Sequence, residues 1–362
     1  MSADRRPRVL HIVPAMFGDD GVWGGAERYA LELARHMSGA VPTRMLTFGD
    51  RARCESVGNL EIRVVDKRWH VRGQRLNPVS AAIFREILSA DVVHCHQRHV
   101  LNSSLSAVFG ALVNRKVFVT DLGGGAWDVS AYLNTDDWFC GHLHISEYSR
   151  RISGHDDYLR AHVVLGGVDT EKFSPDASVQ RGRHVLFVGR LLPHKGVHYL
   201  IEAMPPGISL KIVGRPLDEQ YYKQMQSVAR GKQITFHHDY SDADLIDSYR
   251  SALCVVLPSV YRLTKDITTE VPELLGQTLL EGMACGTPAI CTNVASMPEI
   301  VEDGKTGFVV EPNSAGALRE KILWLRNHPS EAAAMGNLAR DRVLENFTWT
   351  SVVARCLEAY SR

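Results

Sequence analysis

Short apolar stretches alternate with longer amphipathic stretches along the first half of the chain. Continuous apolar runs are typical of strands buried in a parallel sheet, and a period of 3.6 residues is typical of helices. The pattern predicts strands at 9–13, 43–47, 62–65, 92–94, 117–120, 142–146 and 163–167, with helices at 29–37, 78–89 and 101–113. This alternation favours a parallel, doubly wound α/β sheet.

The alternation stops after residue 167 and starts again at residue 184. The segment up to 182 is polar, contains Pro175 and has no clear period, which suggests a linker. The second half then predicts strands at 184–188, 210–213, 234–236, 254–257 and 288–291, and helices at 197–204, 220–230, 242–251, 314–327, 330–345 and 347–360. We therefore expect two α/β units of similar length, with a ligand site in the cleft between them.

Composition narrows the class of protein. At 362 residues the chain is long enough for two domains, and 45% hydrophobic with 23% charged residues is typical of a globular protein. Lys plus Arg and Asp plus Glu both number 41, so charge gives no reason to expect a nucleic-acid partner. No apolar run reaches the roughly 18 residues of a membrane-spanning helix. The first residues lack the cleavage site of a signal peptide.

The cysteines and one basic stretch bear on the cellular compartment of the protein and on its contacts. The seven cysteines are scattered and contain no CxxC, which predicts reduced thiols in a cytoplasmic protein without a zinc site. Residues 67–75 are basic and include Trp69. This stretch either meets an anionic acceptor or a membrane surface, or is a solvated loop.

The richest stretch for chemistry runs from 271 to 288. Glu273 precedes a predicted helix and Glu281 lies within it, which separates them by roughly 12 Å along the helix axis. The amides near Gly276, Gln277 and Thr278 would lie at the positive end of that helix, which suits a phosphate. The carboxylates would then hold hydroxyls at both ends of a ligand whose diphosphate lies in the middle. The alternative is an ordinary amphipathic helix with a capping Glu.

Two other strand ends carry phosphate-binding features. Arg190 and Lys195 flank a tight loop that leads into a helix, so two cations and helix-start amides can meet one diphosphate. Gly24 and Gly25 end a glycine-rich loop between a strand and a helix, although its spacing is not GxGxxG.

Histidines and acids at strand ends leave several interpretations open. His94, His96 and His99 suggest a metal only weakly, because no carboxylate or Cys at ligand spacing completes the set, and core or substrate-facing roles are favoured. Asp121 follows a strand and is either a substrate-facing acid or a turn former. The Asp-x-Asp at 242–244 is interpreted as helix capping, with Ser241 as the N-cap.

Taken together, these motifs resemble glycosyltransferase family 4, the retaining sugar-nucleotide transferases of the GT-B fold. The matching segments occur in the family's order and span the chain: 24–27, 91–96, 187–196, Glu273-(x7)-Glu281 with 282–288, and 297–301 with 304–308. The resemblance implies two Rossmann-like domains facing across a cleft. The N-terminal, acceptor-binding domain would comprise 1–170 plus a C-terminal helix (346–362) that crosses back, and the donor-binding domain 183–345.

The resemblance also implies roles for single residues. Arg190 and Lys195 would hold the diphosphate and stabilise the leaving group, assisted by the amides of the helix start and by the two glycines of the first loop. Glu273 would bind the hydroxyls of the donor sugar, and Glu281 those of the ribose. No metal or other cofactor is implied, since cations and the helix dipole stabilise the developing charge.

The chain departs from the family's motif pattern at two of its sites, and more than one donor and function are open. Asp121 stands where many members carry a catalytic His, with His96 as the nearest alternative, and 295–297 replaces the usual Gly-Gly before Pro-Glu-Ile-Val. The expected donor is UDP-glucose, with GDP-mannose second, and the expected acceptor is a saccharide or lipid-linked intermediate. The expected location is the cytoplasm, with peripheral contact at the inner membrane face as the alternative. A non-catalytic nucleotide-sugar binder and a UDP-sugar epimerase are the alternative functions.

Overall fold

The computed structural model describes residues 6–16, 24–66, 68–123, 126–182, 184–262, 268–269 and 273–362. Contacts divide the chain into a first unit, Met1–Gly167 with Trp349–Arg362, and a second unit, Val168–Thr348. Each unit is built around its own sheet.

The apolar runs of the first unit form buried strands. They are β1 (Val9–Met16), β2 (Thr43–Phe48), β3 (Arg53–Val57), β4 (Leu60–Val65), β5 (Trp69–His70), β6 (Pro78–Val79), β7 (Val92–His96), β8 (Lys116–Thr120), β9 (Gly141–His144) and β10 (Ala161–Val163). Among the described residues, eight of them form one sheet in the order β10-β9-β8-β7-β1-β2-β4-β3, and β5 pairs with β6. All neighbours in the large sheet are parallel except β3, which runs antiparallel to β4.

The helices of the first unit cover both faces of its sheet. They are α1 (Gly25–Met37), α2 (Ala82–Leu88), α3 (Leu101–Leu112), α4 (Glu147–Ile152) and, from the chain's end, α12 (Trp349–Ser361). Successive side chains of a strand point to opposite faces. Leu10 and Ile12 of β1 therefore pack in the cluster that includes Ile83 of α2 and Ala107 of α3, whereas Val13 packs with Ala30 of α1.

The C-terminal helix belongs to the first unit, as the sequence predicted. The Tyr360 hydroxyl oxygen and His94 Nδ1 are hydrogen-bonded at 2.8 Å, and Lys116 Nζ donates to the Tyr360 carbonyl over 2.9 Å. At the other end of α12, Gly167 lies against the Trp349 ring so closely that a Cβ at this glycine would be 2.5 Å from the indole.

The second unit repeats the α/β alternation. Its strands are β11 (His184–Val188), β12 (Ser209–Val213), β13 (Ile234–His237), β14 (Ala252–Leu257), β15 (Ala289–Thr292) and β16 (Gly307–Val310). Its helices are α5 (Val197–Ala203), α6 (Glu219–Val228), α7 (Asp242–Ser251), α8 (Gln277–Ala284), α9 (Met297–Ile300), α10 (Ala315–Asn327) and α11 (Pro329–Asn346). The strands are parallel, in the order β13-β12-β11-β14-β15-β16. This is the 3-2-1-4-5-6 order of a doubly wound sheet.

Several elements of the first unit differ from the sequence prediction, among them the strand predicted at 163–167, which lies at Ala161–Val163. The helix predicted at 78–89 begins only at Ala82, because Pro78–Val79 pairs as a strand with Trp69–His70. Arg53–Val57 is an additional strand at the sheet edge. Its side chains are mostly exposed, so it lacks the apolar alternation by which a strand is recognised.

Candidate functional site

Strands β11 and β14 lie side by side in the second unit, although β12 and β13 lie between them in sequence. In a sheet of this order the chain leaves these two central strands in opposite directions, and ligands bind outside the carboxyl ends of the strands at this point. The loop after β11 carries Arg190 and Lys195, and the segment after β14 leads to Glu273. The topology therefore brings together the predicted cations and the first predicted carboxylate.

Lys195 and Glu273 form an ion pair at these strand ends. Their side chains are 12% and 10% exposed, so the pair is largely removed from water. Ser259 also donates its hydroxyl hydrogen bond to Glu273 Oε1 over 3.1 Å. Burial, followed by the charge of Lys195, lowers the pKa of the adjacent His194 to about 4, so this ring is neutral at pH 7. The site thus holds one ammonium and one carboxylate in fixed positions.

The loop that carries Lys195 is tied to the end of β14 by close backbone packing. Gly196 adopts φ 63°, in the left-handed region, and a Cβ at this residue would lie 2.0 Å from the Pro258 carbonyl oxygen. The Val260 amide donates to the His194 carbonyl over 2.8 Å. Only glycine fits at residue 196, and its close approach fixes where Lys195 projects.

Arg190 begins the same loop and is exposed. Its carbonyl accepts a hydrogen bond from the Leu192 amide over 3.1 Å, and the Leu191 amide donates to the Arg215 carbonyl over 3.1 Å. The backbone around Arg190 is therefore ordered while its guanidinium is accessible to a ligand.

Helix α8 begins where the sequence placed it. Gly276 is the N-cap with φ 78°, a left-handed conformation that glycine adopts without a steric cost. The amides of Gln277 and Thr278 open the helix at its positive end. Both side chains are half-buried, whereas Gly276 is buried.

Glu281 lies inside α8 and is only 3% exposed. Its Oε2 accepts a hydrogen bond from the Tyr249 hydroxyl of α7 over 2.8 Å. A buried tyrosine thus holds the Glu281 carboxylate in position. Its role toward a ribose stays a prediction.

In the first unit, Gly24 is the N-cap of α1 and Gly25 is the first residue of that helix. Gly24 is half-buried and Gly25 is exposed. Residues 18–23 of the glycine-rich loop lie outside the described residues. The contact of these two glycines with a diphosphate stays a prediction.

His96 and Asp121 lie at the ends of two neighbouring strands. β7 ends at His96, which pairs in register with Thr120 at the end of β8, immediately before Asp121. Asp121 Oδ1 accepts a hydrogen bond from the Gly123 amide over 3.2 Å, which is the turn-forming role that the sequence left open. Burial raises the pKa of this carboxyl.

His96 belongs to a buried histidine cluster with His94 and with His11 of β1, all at most 1% exposed. His11 Nδ1 and His96 Nε2 are 2.8 Å apart, and His94 Nε2 is 2.7 Å from Thr120 Oγ1. His99, by contrast, is exposed. The grouping predicted from the sequence is therefore replaced, because His11 comes from a strand that is distant in the chain but adjacent in the sheet.

We expect the free energy of unfolding to fall as the pH decreases below about 6.5. Burial lowers the pKa of His11 to about 3, whereas an unfolded histidine has a pKa near 6.5. The unfolded chain then binds protons that the folded chain excludes, so this stabilisation is complete above pH 6.5 and is lost progressively toward pH 3. At pH 5 the exclusion of a proton from His11 alone lowers the stability by about 2 kcal/mol. Urea unfolding at about pH 7.5 and about pH 5 measures the difference.

Two variants test whether the buried cluster of His11, His94 and His96 causes this pH dependence of stability. His11→Gln removes one excluded proton and should reduce the loss of stability between the two pH values. His99→Gln changes an exposed histidine and should leave the loss unchanged. A stability that stays constant over this range would show that the buried rings accept protons in the folded chain.

Three residues of these sites were not predicted from the sequence. Ser259 and Tyr249 hold the two carboxylates, and His11 completes the histidine cluster. The sequence signal for Ser259 is weak: its hydroxyl lies two residues after the end of the buried strand β14. His11 lies in the middle of an apolar strand, where a polar residue must find a partner.

Most of the second unit matches a known protein family. Residues 169–342 match the family described as glycosyl transferases group 1. This segment, nearly half of the chain, is therefore similar to the group 1 glycosyl transferases. The GDP-mannose-dependent alpha-(1-6)-phosphatidylinositol monomannoside mannosyltransferase of Mycolicibacterium smegmatis is 32% identical over 212 residues, which are 54% of this chain and 54% of that protein. The chain thus spans about half the length of such curated relatives.

Solved structures extend the likeness to both units. A glycosyltransferase from Rickettsia africae aligns with a TM-score of 0.74 at 18% identity, over 99% of this chain and 98% of that one. HepE of Anabaena, solved with UDP and glucose, aligns with a TM-score of 0.71 at 18% identity, over 98% and 99%. These likenesses show the fold, which is GT-B, as the sequence predicted.

The matched segment contains every predicted site residue of the second unit, from Arg190 to Glu281. Gly24, Gly25, His96 and Asp121 lie outside it, in the first unit. The match therefore covers the residues at the β11 and β14 ends, and the roles of the residues in both units stay predictions.

Proposed function

We propose that this protein is a glycosyltransferase that moves a hexose from a nucleotide sugar to a saccharide or lipid-linked acceptor. One observation carries the proposal: the Lys195–Glu273 ion pair at the central strand ends of the segment that matches the group 1 glycosyl transferases. A nucleotide sugar joins an anionic diphosphate to a hydroxylated hexose. An ammonium beside a carboxylate offers a matching donor and acceptor to these two chemical groups.

The diphosphate is assigned to the loop after β11. Lys195 would exchange its pairing with Glu273 for the more highly charged diphosphate, and Glu273 would then accept hydrogen bonds from sugar hydroxyls. Arg190 is accessible and would add a second cation with bidentate geometry. These cations would stabilise the departing nucleoside diphosphate, where negative charge increases during the reaction.

Helix α8 supports the same ligand at two points. The amides of Gln277 and Thr278 would meet the diphosphate at the positive helix end. Glu281 would accept hydrogen bonds from the ribose hydroxyls, with Tyr249 holding the carboxylate in position.

Donor and mechanism are proposed from the same groups. The structural neighbour HepE was solved with UDP and glucose, and a curated relative is named as GDP-mannose-dependent. We therefore place UDP-glucose first and GDP-mannose second. Transfer would retain the anomeric configuration, with the leaving phosphate accepting the acceptor's proton. It would require no metal at the donor site, because side-chain cations and helix amides supply the positive charge.

Calorimetric titration with UDP, GDP and their hexose conjugates, with and without EDTA, tests the donor site. We expect one nucleotide to bind with micromolar affinity and EDTA to leave that affinity unchanged. Glu281→Gln keeps the shape and can still accept from Tyr249, but it removes the charge. Loss of a charged hydrogen bond is worth about 1.5–3 kcal/mol, so affinity should fall about 10- to 100-fold.

Glu219→Gln is the matched control for this substitution. Glu219 is 82% exposed on α6, so its charge should not affect nucleotide binding. Preference for GDP would move the donor to mannose, and absence of binding by any nucleotide would reject the proposed function.

A non-catalytic sugar-nucleotide binder is the second candidate. Asp121 in place of the family's His favours it, because this carboxyl accepts a backbone hydrogen bond in a turn. That function predicts tight binding of the nucleotide sugar with neither hydrolysis nor transfer. An assay of nucleoside diphosphate release therefore separates the two candidates.

Contact with a membrane surface is part of the proposed acceptor chemistry. In the described part of the chain, no helix combines the length and apolar character needed to cross a membrane. Trp69 is 70% exposed, and the Arg72 guanidinium stacks 4.0 Å from the Trp127 ring centre. Aromatic and basic side chains of this kind suit a membrane–water interface, where a lipid-linked acceptor would be presented.

A further inference from the structure

A second histidine cluster lies in the first unit, apart from the residues assigned to the donor. Asp136 belongs to a short 3-10 turn, His142 lies in β9, and His155 follows α4. The two imidazoles are nearly buried and the Asp136 side chain is 30% exposed. Two imidazoles and a carboxylate form a ligand set that divalent transition metals bind readily.

We propose that Asp136, His142 and His155 bind a divalent transition metal ion of the Zn²⁺ class. His155 Nε2 is 3.5 Å from Asp136 Oδ2, and His142 Nε2 is 4.0 Å from Asp136 Oδ1. One ligand atom from each residue lies within 4.8 Å of the others. Tetrahedral coordination with ligand distances of about 2.0–2.2 Å places ligand atoms about 3.3–3.5 Å apart, so small side-chain rotations suffice.

The surroundings orient the ligands as metal sites require. His144 Nε2 is 3.0 Å from His155 Nδ1, so the second nitrogen of one ligand is already held by a partner. Such outer partners fix the tautomer and the ring orientation of a metal-binding His. The ring of His142 packs edge-on against that of His155, with the ring centres 4.4 Å apart.

A guanidinium also contacts this cluster. Arg98 donates to Asp136 Oδ1 from Nη2 over 2.9 Å, which leaves Oδ2 directed toward His155. Asp128 lies 4.0 Å from Arg98 Nη1 and offsets part of its charge. The carboxylate can therefore bridge the guanidinium and a metal ion, one oxygen to each.

The cluster also has access to solvent. Asp136 lines a cavity of about 410 Å³ together with Arg98, His99, Ser130 and residues 132–135. Three protein ligands leave one position of a tetrahedral ion for a water or another small oxygen ligand. The ion would pin the turn at 136–138 to β9 and to the segment after α4.

The His11–His94–His96 cluster provides a contrast. It contains no carboxylate to offset the charge of an ion, whereas at the proposed site Asp136 supplies one and His142 Nε2 would exchange its 3.1 Å contact with the Asp136 carbonyl oxygen for the ion. No sequence pattern indicates this set, because Asp136, His142 and His155 match no familiar ligand spacing. Asp136 precedes β9 and His155 follows the helix after it, so the strand and its two flanking connections supply the three side chains.

Titration of the full chain with ZnCl₂, after treatment with EDTA and desalting, tests the proposal. We expect one Zn²⁺ per chain and a rise in the unfolding temperature on binding. His155→Gln and Asp136→Asn should weaken binding about 100-fold or more, and His144→Gln about 10-fold, as expected for an outer partner. His99→Gln alters a neighbouring exposed histidine and should leave the affinity unchanged.

Co²⁺ spectroscopy on the unaltered chain gives a test that needs no variant to fold. A visible band typical of a four- or five-coordinate ion with nitrogen and oxygen ligands supports the site. A thiolate charge-transfer band would place the ion on cysteines such as Cys54 or Cys140 and overturn the proposal. Absence of Zn²⁺ binding, or binding unchanged by His155→Gln and Asp136→Asn, would overturn it as well.

Discussion

Lys195→Ala is expected to lower kcat/KM for transfer from the preferred nucleotide sugar about 100- to 1000-fold. Removing one preorganised group that stabilises developing charge typically costs this much. Lys195 is only 12% exposed, so solvent does not replace its charge readily. Release of nucleoside diphosphate from UDP-glucose, or from GDP-mannose if GDP binds better, measures the effect.

Controls separate this role from a loss of folding. Lys223→Ala removes a lysine that is 71% exposed and pairs with Glu219 along α6, and it should leave turnover unchanged. Lys195→Arg keeps the positive charge and should retain more activity than Lys195→Ala. If Lys195→Ala folds with an unchanged unfolding temperature and turns over normally, Lys195 does not act on the diphosphate. A variant that unfolds would instead show that its pairing with Glu273 is structural.

The alternation of elements was predictable because local patterns determine it. Buried strands such as β11 and β14 are continuous apolar runs, and the start of α7 is fixed by Ser241, whose hydroxyl accepts from the Asp244 amide over 3.1 Å. The capping interpretation of Asp242 and Asp244 is confirmed by this geometry. Pro78 misled the helix prediction because proline suits both a helix start and a short strand.

The candidate site was predictable in its residue types and not in its geometry. Lys195 and Glu273 are 78 residues apart, and their contact depends on β14 lying beside β11. No local pattern specifies that strand order, so only the family resemblance placed the two residues together. The supports from Ser259 and Tyr249 likewise depend on packing between distant segments.

The two histidine clusters also depend on contacts between segments that are distant in sequence. His94 and His96 stand two residues apart on an extended strand, so the sequence predicts that they share a face. Their third partner is His11 from the adjacent β1, not the nearby His99. The cluster of Asp136, His142 and His155 was missed because two loops and a strand contribute one residue each.

Gly196→Ala is expected to cause a large loss of stability in the second unit and to abolish transfer. The added Cβ would lie 2.0 Å from the Pro258 carbonyl oxygen, and the backbone at residue 196 has φ 63°. A left-handed conformation costs an alanine about 1–2 kcal/mol, and relieving the clash requires β14 or the loop to move, so the total should reach about 3 kcal/mol or more. Displacing this loop also displaces Lys195.

Gly231→Ala isolates the contribution of the clash. Gly231 has a comparable φ of 74°, but a Cβ there meets no atom within 4 Å. This variant should lose only the conformational part, about 1–2 kcal/mol, and keep its activity. Urea unfolding compares the midpoints of the two variants at unchanged slope. Equal losses would mean that the backbone at residues 196 and 258 separates at little cost, and that Gly196 does not fix the position of Lys195.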